Sequence, residues 1–400
     1  MQLTHLFTEE QKAVRDMMRK FVDQEIIPIQ GMLEGDHSLV ETILQKLVGL
    51  GIQKGGLPPE YGGNGPYDSM TRTIIVEELA RGDPGIAASA ISSEFLGPAL
   101  YAGNKAVLEK FAPDFTGEKI CYGCLAMSDA QGGSDTENPL LEGRGIYTRA
   151  KLKGDEYVIN GTKSWPTNAG KASLYLTVCT TNPDDGNDGI ALIYVPPDAP
   201  GLSFGKPEKK LGLRTTHNAS IFYDNVRVPK EYRLSGPGAD AQFYYGGIMG
   251  MAQTAGAISS VGMSQAAFDI VLEYTKERKS GGKPIREWSM VAGIIADMSM
   301  RLEIIKALIY NMAWIYDHPE DYGSPFTNKM ISRGSQLRLF ASESCVFIVT
   351  KAMQLMGANG VSEDYRLEKI LRDALTSQVP LGGLQVTRYR AVRGYYDYVV

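Results

Sequence analysis

The chain has 400 residues, of which 43% are apolar and 22% are charged, and its formal net charge is −5. This length predicts two or three domains, and the composition is that of an ordinary globular protein. The negative charge disfavours nucleic acid, or an anionic membrane surface, as the main partner.

The first third of the sequence predicts helices. Thr8 is a candidate N-cap followed by acidic residues, and apolar positions then recur at helical spacing until Pro28 interrupts them. Further helices are predicted over 39–50, 69–81 and 84–101, the last of which begins with a proline suited to a first turn.

Between residues 120 and 230 the pattern changes to short strands. Segments 147–153 and 157–159 flank Gly154 in a hairpin-like arrangement. Short strands separated by Gly, Pro, Asn and Asp favour a small barrel or sandwich. The other strands are predicted at 173–180, 189–195 and 220–228.

After residue 240 the sequence again predicts helices. They cover 249–278, 287–317, 329–356 and 363–377. The chain is therefore predicted to be mainly α with a central β domain. We expect a helical domain at 1–119, a β-barrel domain at 120–232 and a helical bundle domain at 233–400.

Cys121 and Cys124 have the C-x-x-C spacing of some zinc and redox sites. A buried strand is the simpler interpretation, because the sequence has no second such pair and no histidine nearby. The sequence also has no H-E-x-x-H, Walker A or G-x-S-x-G motif. The N-terminal residues do not have the pattern of a leader, and no apolar run is as long as a membrane span. We therefore expect a cytoplasmic protein without membrane insertion or a metal site.

Six segments, in this order, resemble motifs of the FAD-dependent acyl-CoA dehydrogenase family. Each motif alone is unspecific, but their order along nearly the whole chain is not. They read C-Y-G-C-L-A-M-S-D-A-Q-G-G-S-D at 121–135, K-S-W-P-T-N-A-G at 163–170, K-L-G-L-R at 210–214, V-R-V-P at 226–229, Y-T-K-E-R-K-S-G-G-K-P-I at 274–285 and Q-L-M-G-A-N-G at 354–360.

The resemblance implies an N-terminal helical domain, a middle β-barrel and a C-terminal four-helix bundle. It also implies FAD as cofactor, an acyl-CoA thioester as substrate and an electron-transferring flavoprotein or similar carrier as electron acceptor. A homotetramer is expected, because members of this family are usually tetrameric.

The motifs also imply residues that contact the flavin and the substrate. Met127, Ser128 and Thr167 match positions at the flavin edge, where hydrogen-bond donors stabilise the reduced ring. Trp165 matches a position that packs on the ring. Ser134 matches a position that borders the thioester or the pantetheine tail.

Other positions match the nucleotide half of the FAD site. Arg278 is expected to bind the FAD pyrophosphate of a neighbouring subunit, because a guanidinium group suits phosphate geometry. Gln354 and the turn from Gly357 to Gly360 are expected to hold the adenine half. The cofactor site would then need two chains.

The catalytic base is absent from its usual place. In the C-terminal tract 372–385 the family's glutamate position is occupied by Leu381, and a second position used in the family falls near Ala252. Glu94, which lies in an otherwise uncharged run, is the remaining candidate, because active-site bases are commonly desolvated. A structural ion pair with an arginine is the alternative role for Glu94.

A base at the far end of the acyl group suggests 1,4-elimination from a cyclic or unsaturated acyl-CoA, since conjugation with the thioester acidifies the γ-proton. Relatives that act on alicyclic CoA esters relocate the base in this way. The sequence leaves three alternatives: a lyase or desulfinase without net redox chemistry, a flavin monooxygenase of the same fold, and a catalytically silent binding subunit.

Overall fold

The computed structural model describes residues 3–396, with the backbone alone for Ser92 and Ser93. Helices come first, a seven-stranded sheet follows, and a second set of helices completes the chain. The predicted class, mainly α with a central β domain, is confirmed. The domain boundaries at 119/120 and 232/233 remain predictions. Residues 1–2, which are part of the predicted N-terminal domain, and residues 397–400, which are part of the predicted C-terminal domain, lie outside the described range.

The first helical region starts as its sequence predicts. Thr8 accepts a hydrogen bond from the amide of Gln11, whose side chain accepts one from the amide of Thr8, and this capping box begins α1. The helices are α1 Glu9–Phe21, α2 Gln30–Leu33, α3 His37–Gly49, α4 Ser69–Gly82, α5 Pro84–Ala90, α6 Gly97–Ala102 and α7 Lys105–Phe115.

The helix predicted over 84–101 is broken, which corrects the sequence interpretation. α5 ends at Ala90, a 3-10 turn covers Ser92–Leu96, and α6 begins at Gly97. Pro98 supplies the reason, because its ring excludes an α-helical carbonyl four residues earlier, at Glu94. Glu94 therefore lies in a tight turn between two helices.

The sheet is curled and mostly antiparallel. Its strand order is β1-β4-β2-β3-β7-β6, β1 and β4 run parallel, and β5 pairs with β4 on an additional edge. All residues of β4 and β5 are buried, so both faces of these strands are covered. The strands are β1 Gly123–Ala126, β2 Arg149–Lys153, β3 Glu156–Lys163, β4 Leu174–Thr180, β5 Ile190–Val195, β6 Leu202–Phe204 and β7 Ile221–Pro229.

The C-terminal region is a bundle of long helices. α9 and α12 pack side by side along most of their length, and α4 of the first region packs on α9. The helices are α8 Ala239–Gln242, α9 Met249–Glu277, α10 Ser289–Tyr316, α11 Pro319–Tyr322, α12 Asn328–Met356, α13 Leu367–Thr376 and α14 Gly383–Val392, with a two-residue hairpin, β8 Lys279–Ser280 and β9 Lys283–Pro284, after α9.

Two helical segments, 239–277 and 328–361, are long and apolar enough to cross a membrane by length and composition. The sequence analysis expected no apolar run as long as a membrane span, and these two helices correct that expectation. About half of the most apolar window of each helix, 56% and 44%, is buried inside the protein. Core helices of a bundle have the same composition, so this criterion is weak evidence for a membrane span.

One buried cation joins all three regions of the chain. Lys369 on α13 donates to Asp83 at 2.8 Å and to Asp373 at 2.7 Å. Asp83 also caps α5 and accepts from Thr215, and Asp373 accepts from the amide of Leu213, so both carboxylates contact the loop before β7. The lysine lowers the pKa of Asp83 against the opposing effect of burial, and the two carboxylates raise the pKa of Lys369.

Replacement of Lys369 by methionine should destabilise the protein strongly. The variant would leave two buried carboxylates unpaired, a loss of about 3–5 kcal/mol. Denaturant unfolding measures the change. Lys230→Met removes the exposed pair with Asp155 and is the matched control, whose unfolding midpoint should stay at the wild-type value. Equal effects of the two substitutions would contradict this account.

Candidate active site

Hydrogen bonds connect the residues that follow β1 with the C-terminal end of β3, next to the positions predicted for the flavin edge. The amide of Ser164 donates to Ser128 O at 2.9 Å, and Lys163 Nζ donates to Met127 O at 2.7 Å. Lys163 is fully buried and ion-paired with Asp129 at 3.0 Å. Burial lowers the pKa of Lys163, and the Asp129 carboxylate opposes this effect. The structure thus fixes Met127 and Ser128 next to the segment that contains Trp165 and Thr167.

A relay of hydrogen bonds orients Thr167. Asn218 Nδ2 donates to Trp165 O at 2.7 Å and to Thr167 Oγ1 at 3.3 Å, and Lys210 Nζ donates to Asn218 Oδ1 at 2.6 Å. Because Thr167 Oγ1 accepts from the amide, its own proton is available to a ligand. Burial lowers the pKa of Lys210 to about 8, against the attraction of Asp373 and Asp83.

Trp165 and Ser134 are both open to solvent. Trp165 has φ of +65° and its residue is 51% exposed, so an indole with a large free surface lies beside Thr167. Ser134 lies in the 3-10 turn Gly133–Glu137 and is exposed. A flavin ring needs an aromatic surface to pack on and hydrogen-bond donors at its edge, and the exposed indole beside the Thr167 hydroxyl fits both needs.

The residues predicted for the nucleotide half of FAD form a second cluster at the ends of α9 and α12. Arg278 and Gln354 are exposed, and Tyr274, one turn before Arg278, links the two ends by accepting from Asn359 at 3.1 Å. A glycine is required at position 360, because an added Cβ there would lie 2.5 Å from a backbone oxygen. Gly357 has φ of +60°, which also favours glycine.

The family's base position is apolar in the structure as well as in the sequence. Leu381 has φ of +63° and packs against the apolar cluster that includes Phe95, Met127 and Tyr244. The left-handed conformation is costly for leucine, so the surrounding structure must hold it. Ala252, at the second family position, is partly buried on α9.

Glu94 has an arginine partner, as in the structural alternative for this residue. Arg72 Nε donates to both carboxylate oxygens of Glu94 at 2.8 and 2.7 Å. The side chain of Arg72 is 19% exposed and that of Glu94 is 23% exposed. A carboxylate has about four lone-pair sites, so one shared nitrogen leaves acceptor capacity on both oxygens.

The turn that contains Glu94 is anchored to the sheet. Tyr194 donates to Phe95 O at 3.2 Å, and the Phe95 side chain covers Gly123, where an added Cβ would lie 2.1 Å from the ring. β1 begins at Gly123 and leads directly to Met127. The sheet therefore fixes both the predicted flavin edge and the turn of Glu94.

The sequence interpretation missed the partners of these side chains. Arg72 lies within the predicted helix 69–81, and Lys210 and Asn218 lie in or near a quoted motif, but no spacing rule indicates their contacts. Among residues 3–396, no group of three His, Cys, Asp or Glu side chains is arranged to hold a metal ion. Cys121 is buried, which raises the pKa of its thiol to about 11, and Cys124, in β1, is buried in a different apolar cluster.

Comparison with known proteins agrees with this geometry. The N-terminal, middle and C-terminal domain models of the acyl-CoA dehydrogenase family match residues 8–119, 124–226 and 247–395. Cyclohexane-1-carbonyl-CoA dehydrogenase of Syntrophus aciditrophicus is 32% identical, with 98% of this chain and 97% of the relative covered. Cyclohex-1-ene-1-carbonyl-CoA dehydrogenase of the same organism is 30% identical, over 95% of this chain and 88% of the relative.

Short-chain specific mitochondrial acyl-CoA dehydrogenases match at similar identity, 31% for the human enzyme over 92% of this chain and 86% of the relative. The structure of butyryl-CoA dehydrogenase from Megasphaera elsdenii superposes with a TM-score of 0.84 at 26% identity, over 96% of this chain and 97% of that chain. The chain therefore belongs to the acyl-CoA dehydrogenase family and is an FAD-dependent acyl-CoA dehydrogenase.

Proposed function

We propose that the enzyme dehydrogenates an alicyclic or unsaturated acyl-CoA by 1,4-elimination, with Glu94 as the base. The observation that carries this proposal is the pair of changes at the acyl site: leucine at the usual base position and a carboxylate with free acceptor capacity at Glu94. The names of the two Syntrophus relatives support an alicyclic substrate, whereas the similar identity to short-chain enzymes leaves the acyl group to experiment.

The proposed chemistry balances as the loss of one proton and one hydride. Glu94 accepts the proton from the γ-carbon, and the electron pair of that C–H bond forms a new double bond to the β-carbon. The existing α,β double bond shifts to the ring carbon on the other side of the α-carbon, which releases its hydride. FAD, when bound, accepts a hydride at N5.

Arg72 has a positioning role in this proposal. Its single donor nitrogen holds both oxygens of Glu94, which fixes the plane of the carboxylate before the substrate enters. A fixed acceptor lowers the cost of orientation at the moment of proton transfer. Leu381 adds apolar surface where the family has an acid, and this favours a hydrocarbon ring.

We propose that Met127, Ser128, Trp165 and Thr167 hold the flavin ring and that Ser134 borders the pantetheine tail. The FAD bound to a neighbouring subunit would have its pyrophosphate held by Arg278 and its adenine half held by Gln354, Gly357 and Gly360. Exposed apolar residues on α10 support self-association, and a homotetramer is the proposed state. These residues include Met290, Met300 and Leu308.

The remaining functional assignments are also proposals. Dehydrogenation yields two electrons that FAD would pass on, so we propose an electron-transferring flavoprotein or a similar carrier as their acceptor. A cytoplasmic location without membrane insertion stays the proposed setting.

Asn218→Ala should weaken FAD binding. The variant loses the two hydrogen bonds that orient Trp165 and Thr167, each of which contributes about 0.5–1.5 kcal/mol, so FAD affinity should fall about tenfold. Titration of the apoprotein with FAD measures the change. Asn160→Ala, in the middle of β3 where Asn160 accepts from the amide of Asn225, is the control and should bind FAD normally. Wild-type affinity of Asn218→Ala would refute the relay.

Glu94→Gln should abolish flavin reduction by substrate and leave FAD bound. Loss of a general base costs about 10²- to 10⁴-fold in rate. The measurement is anaerobic bleaching of the oxidised flavin by cyclohex-1-ene-1-carbonyl-CoA, with Glu109→Gln on the exposed face of α7 as the control.

Arg72→Met separates the catalytic role of Glu94 from a structural one. This variant breaks the same ion pair and keeps the carboxylate, so it should retain measurable reduction. Equal losses in Arg72→Met and Glu94→Gln would show that only the ion pair matters. Substrate consumption without bleaching would instead favour the lyase alternative.

A further inference from the structure

The segment that contains Leu381 has an unusual backbone. In this base-position segment, residues 377–383, three consecutive residues adopt the left-handed conformation, with φ of +63°, +77° and +65° at Leu381, Gly382 and Gly383. Only glycine adopts this conformation freely, so contacts from elsewhere must hold the segment in place.

Two buried arginines hold the base-position segment by its carbonyl groups. Arg338 Nη2 donates to Ser377 O and Pro380 O at 3.0 Å each, and Arg390 Nη1 donates to Leu381 O at 3.1 Å. The two arginines are 1% and 2% exposed. Two cations so far from water are costly unless an anion lies close to them.

The carboxyl group of Glu137 lies close to both arginines and beside the segment. Glu137 is 2% exposed. Arg390 Nη2 donates to the backbone oxygen of Glu137 at 2.8 Å and lies 3.7 Å from its carboxyl atom Oε2. Within residues 3–396, Oε2 has no hydrogen-bond partner. A Cβ added to Gly382 would lie 3.0 Å from this oxygen, so the carboxyl group lies beside the base-position segment and leaves no room for a side chain there.

The electrostatics of Glu137 make its charge sensitive to pH. Burial raises the pKa of the Glu137 carboxyl to about 7, and Arg390 on α14 and Arg338 on α12 oppose this effect. Tyr244 also faces Glu137, and burial raises the pKa of its phenol well above the usual value. Burial lowers the pKa of Arg338 to about 10, so it remains a cation at neutral pH.

We propose that Glu137 is a positioning residue of the acyl site, which acts through Arg390 and Gly382 to fix the base-position segment and thereby Leu381. Glu137 follows Ser134 by three residues, in the same 3-10 turn. It therefore couples the proposed pantetheine border to the segment that contacts the acyl group. This inference rests on the proposed acyl site and adds a residue that the family motifs do not include.

Ionisation of Glu137 sets the direction of the effect. The pKa of Glu137 is raised in the buried site, so the held segment favours the neutral acid over the ionised carboxylate. When pH rises through about 7, ionisation places a charge in a desolvated site whose Arg390 nitrogen lies 3.7 Å from Oε2, and the segment loosens. Glu137 therefore holds the segment below about pH 7 and weakens its position above that pH.

The test compares the FAD-loaded wild type with Glu137→Gln between pH 5.5 and 8.5. The wild type should show a transition near pH 7 in kcat/KM for cyclohex-1-ene-1-carbonyl-CoA. Glu137→Gln, which is neutral at every pH, should lose this transition and keep the low-pH kcat/KM of the wild type up to pH 8.5, where the wild-type value should be lower on the order of 10- to 100-fold, mainly through KM. Glu142→Gln, which alters an exposed carboxylate five residues later, is the control and should keep the wild-type profile.

A second readout needs no substrate. Hydrogen exchange of the 377–383 amides in the holoenzyme, corrected for intrinsic rates, should change near pH 7 in the wild type and in Glu94→Gln, but not in Glu137→Gln. Failure of the proposed base chemistry would leave this pattern intact. If Glu137→Gln does not fold, Glu137→Asp keeps the charge and should shift the transition. A transition that persists in Glu137→Gln, or one that no Glu137 variant alters, overturns the proposal.

Discussion

The buried Lys369 joins the three parts of the chain on which the active site depends. Its ammonium group lies between Asp83, which begins α5, and Asp373, which receives the amide of Leu213. Helices and sheet could pack in many relative positions through apolar contacts alone, since such contacts are not directional. A desolvated cation with two fixed carboxylates allows few of these positions, because any displacement leaves charge unpaired.

The same principle recurs at each part of the site. Lys163, at the end of β3, pairs with Asp129 after β1, next to the predicted flavin edge. Arg390 connects the base-position segment to Glu137. In both cases a buried ionic group fixes backbone that has no regular secondary structure. The chain thus keeps the family's motif residues on the proposed flavin side of the site, while position 381 has leucine and a carboxylate is present at Glu94. Dehydrogenation needs both a hydride acceptor and a proton acceptor, and only the second has changed place in this account.

Much of the fold could be predicted from the sequence. Thr8 signalled the first helix through a local capping box, and the six motifs placed Ser128, Trp165 and Thr167 at strand exits that the structure brings together. The break at Glu94 was predictable in part, since Pro98 excludes a continuous helix. The expectation of one helix over 84–101 rested on Pro84 at its start and took no account of Pro98.

Other features depend on contacts between distant segments. The Arg72–Glu94 pair joins two elements, and the relay from Lys210 through Asn218 depends on how one loop folds back on itself. Glu137 lies beyond the motif residues, and its burial follows only when α12 and α14 close over it. Side chains whose environment is made by long-range packing give no periodic signal in the sequence.

The central claim is that the proton leaves from the far end of a conjugated acyl group and not from the α-carbon. The most direct measurement is the deuterium isotope effect on anaerobic flavin reduction. Cyclohex-1-ene-1-carbonyl-CoA with deuterium at the γ-carbon should reduce the flavin several-fold more slowly than the unlabelled ester. A rate unaffected by γ-deuterium, together with a primary isotope effect from butyryl-CoA deuterated at the α-carbon, would contradict the account.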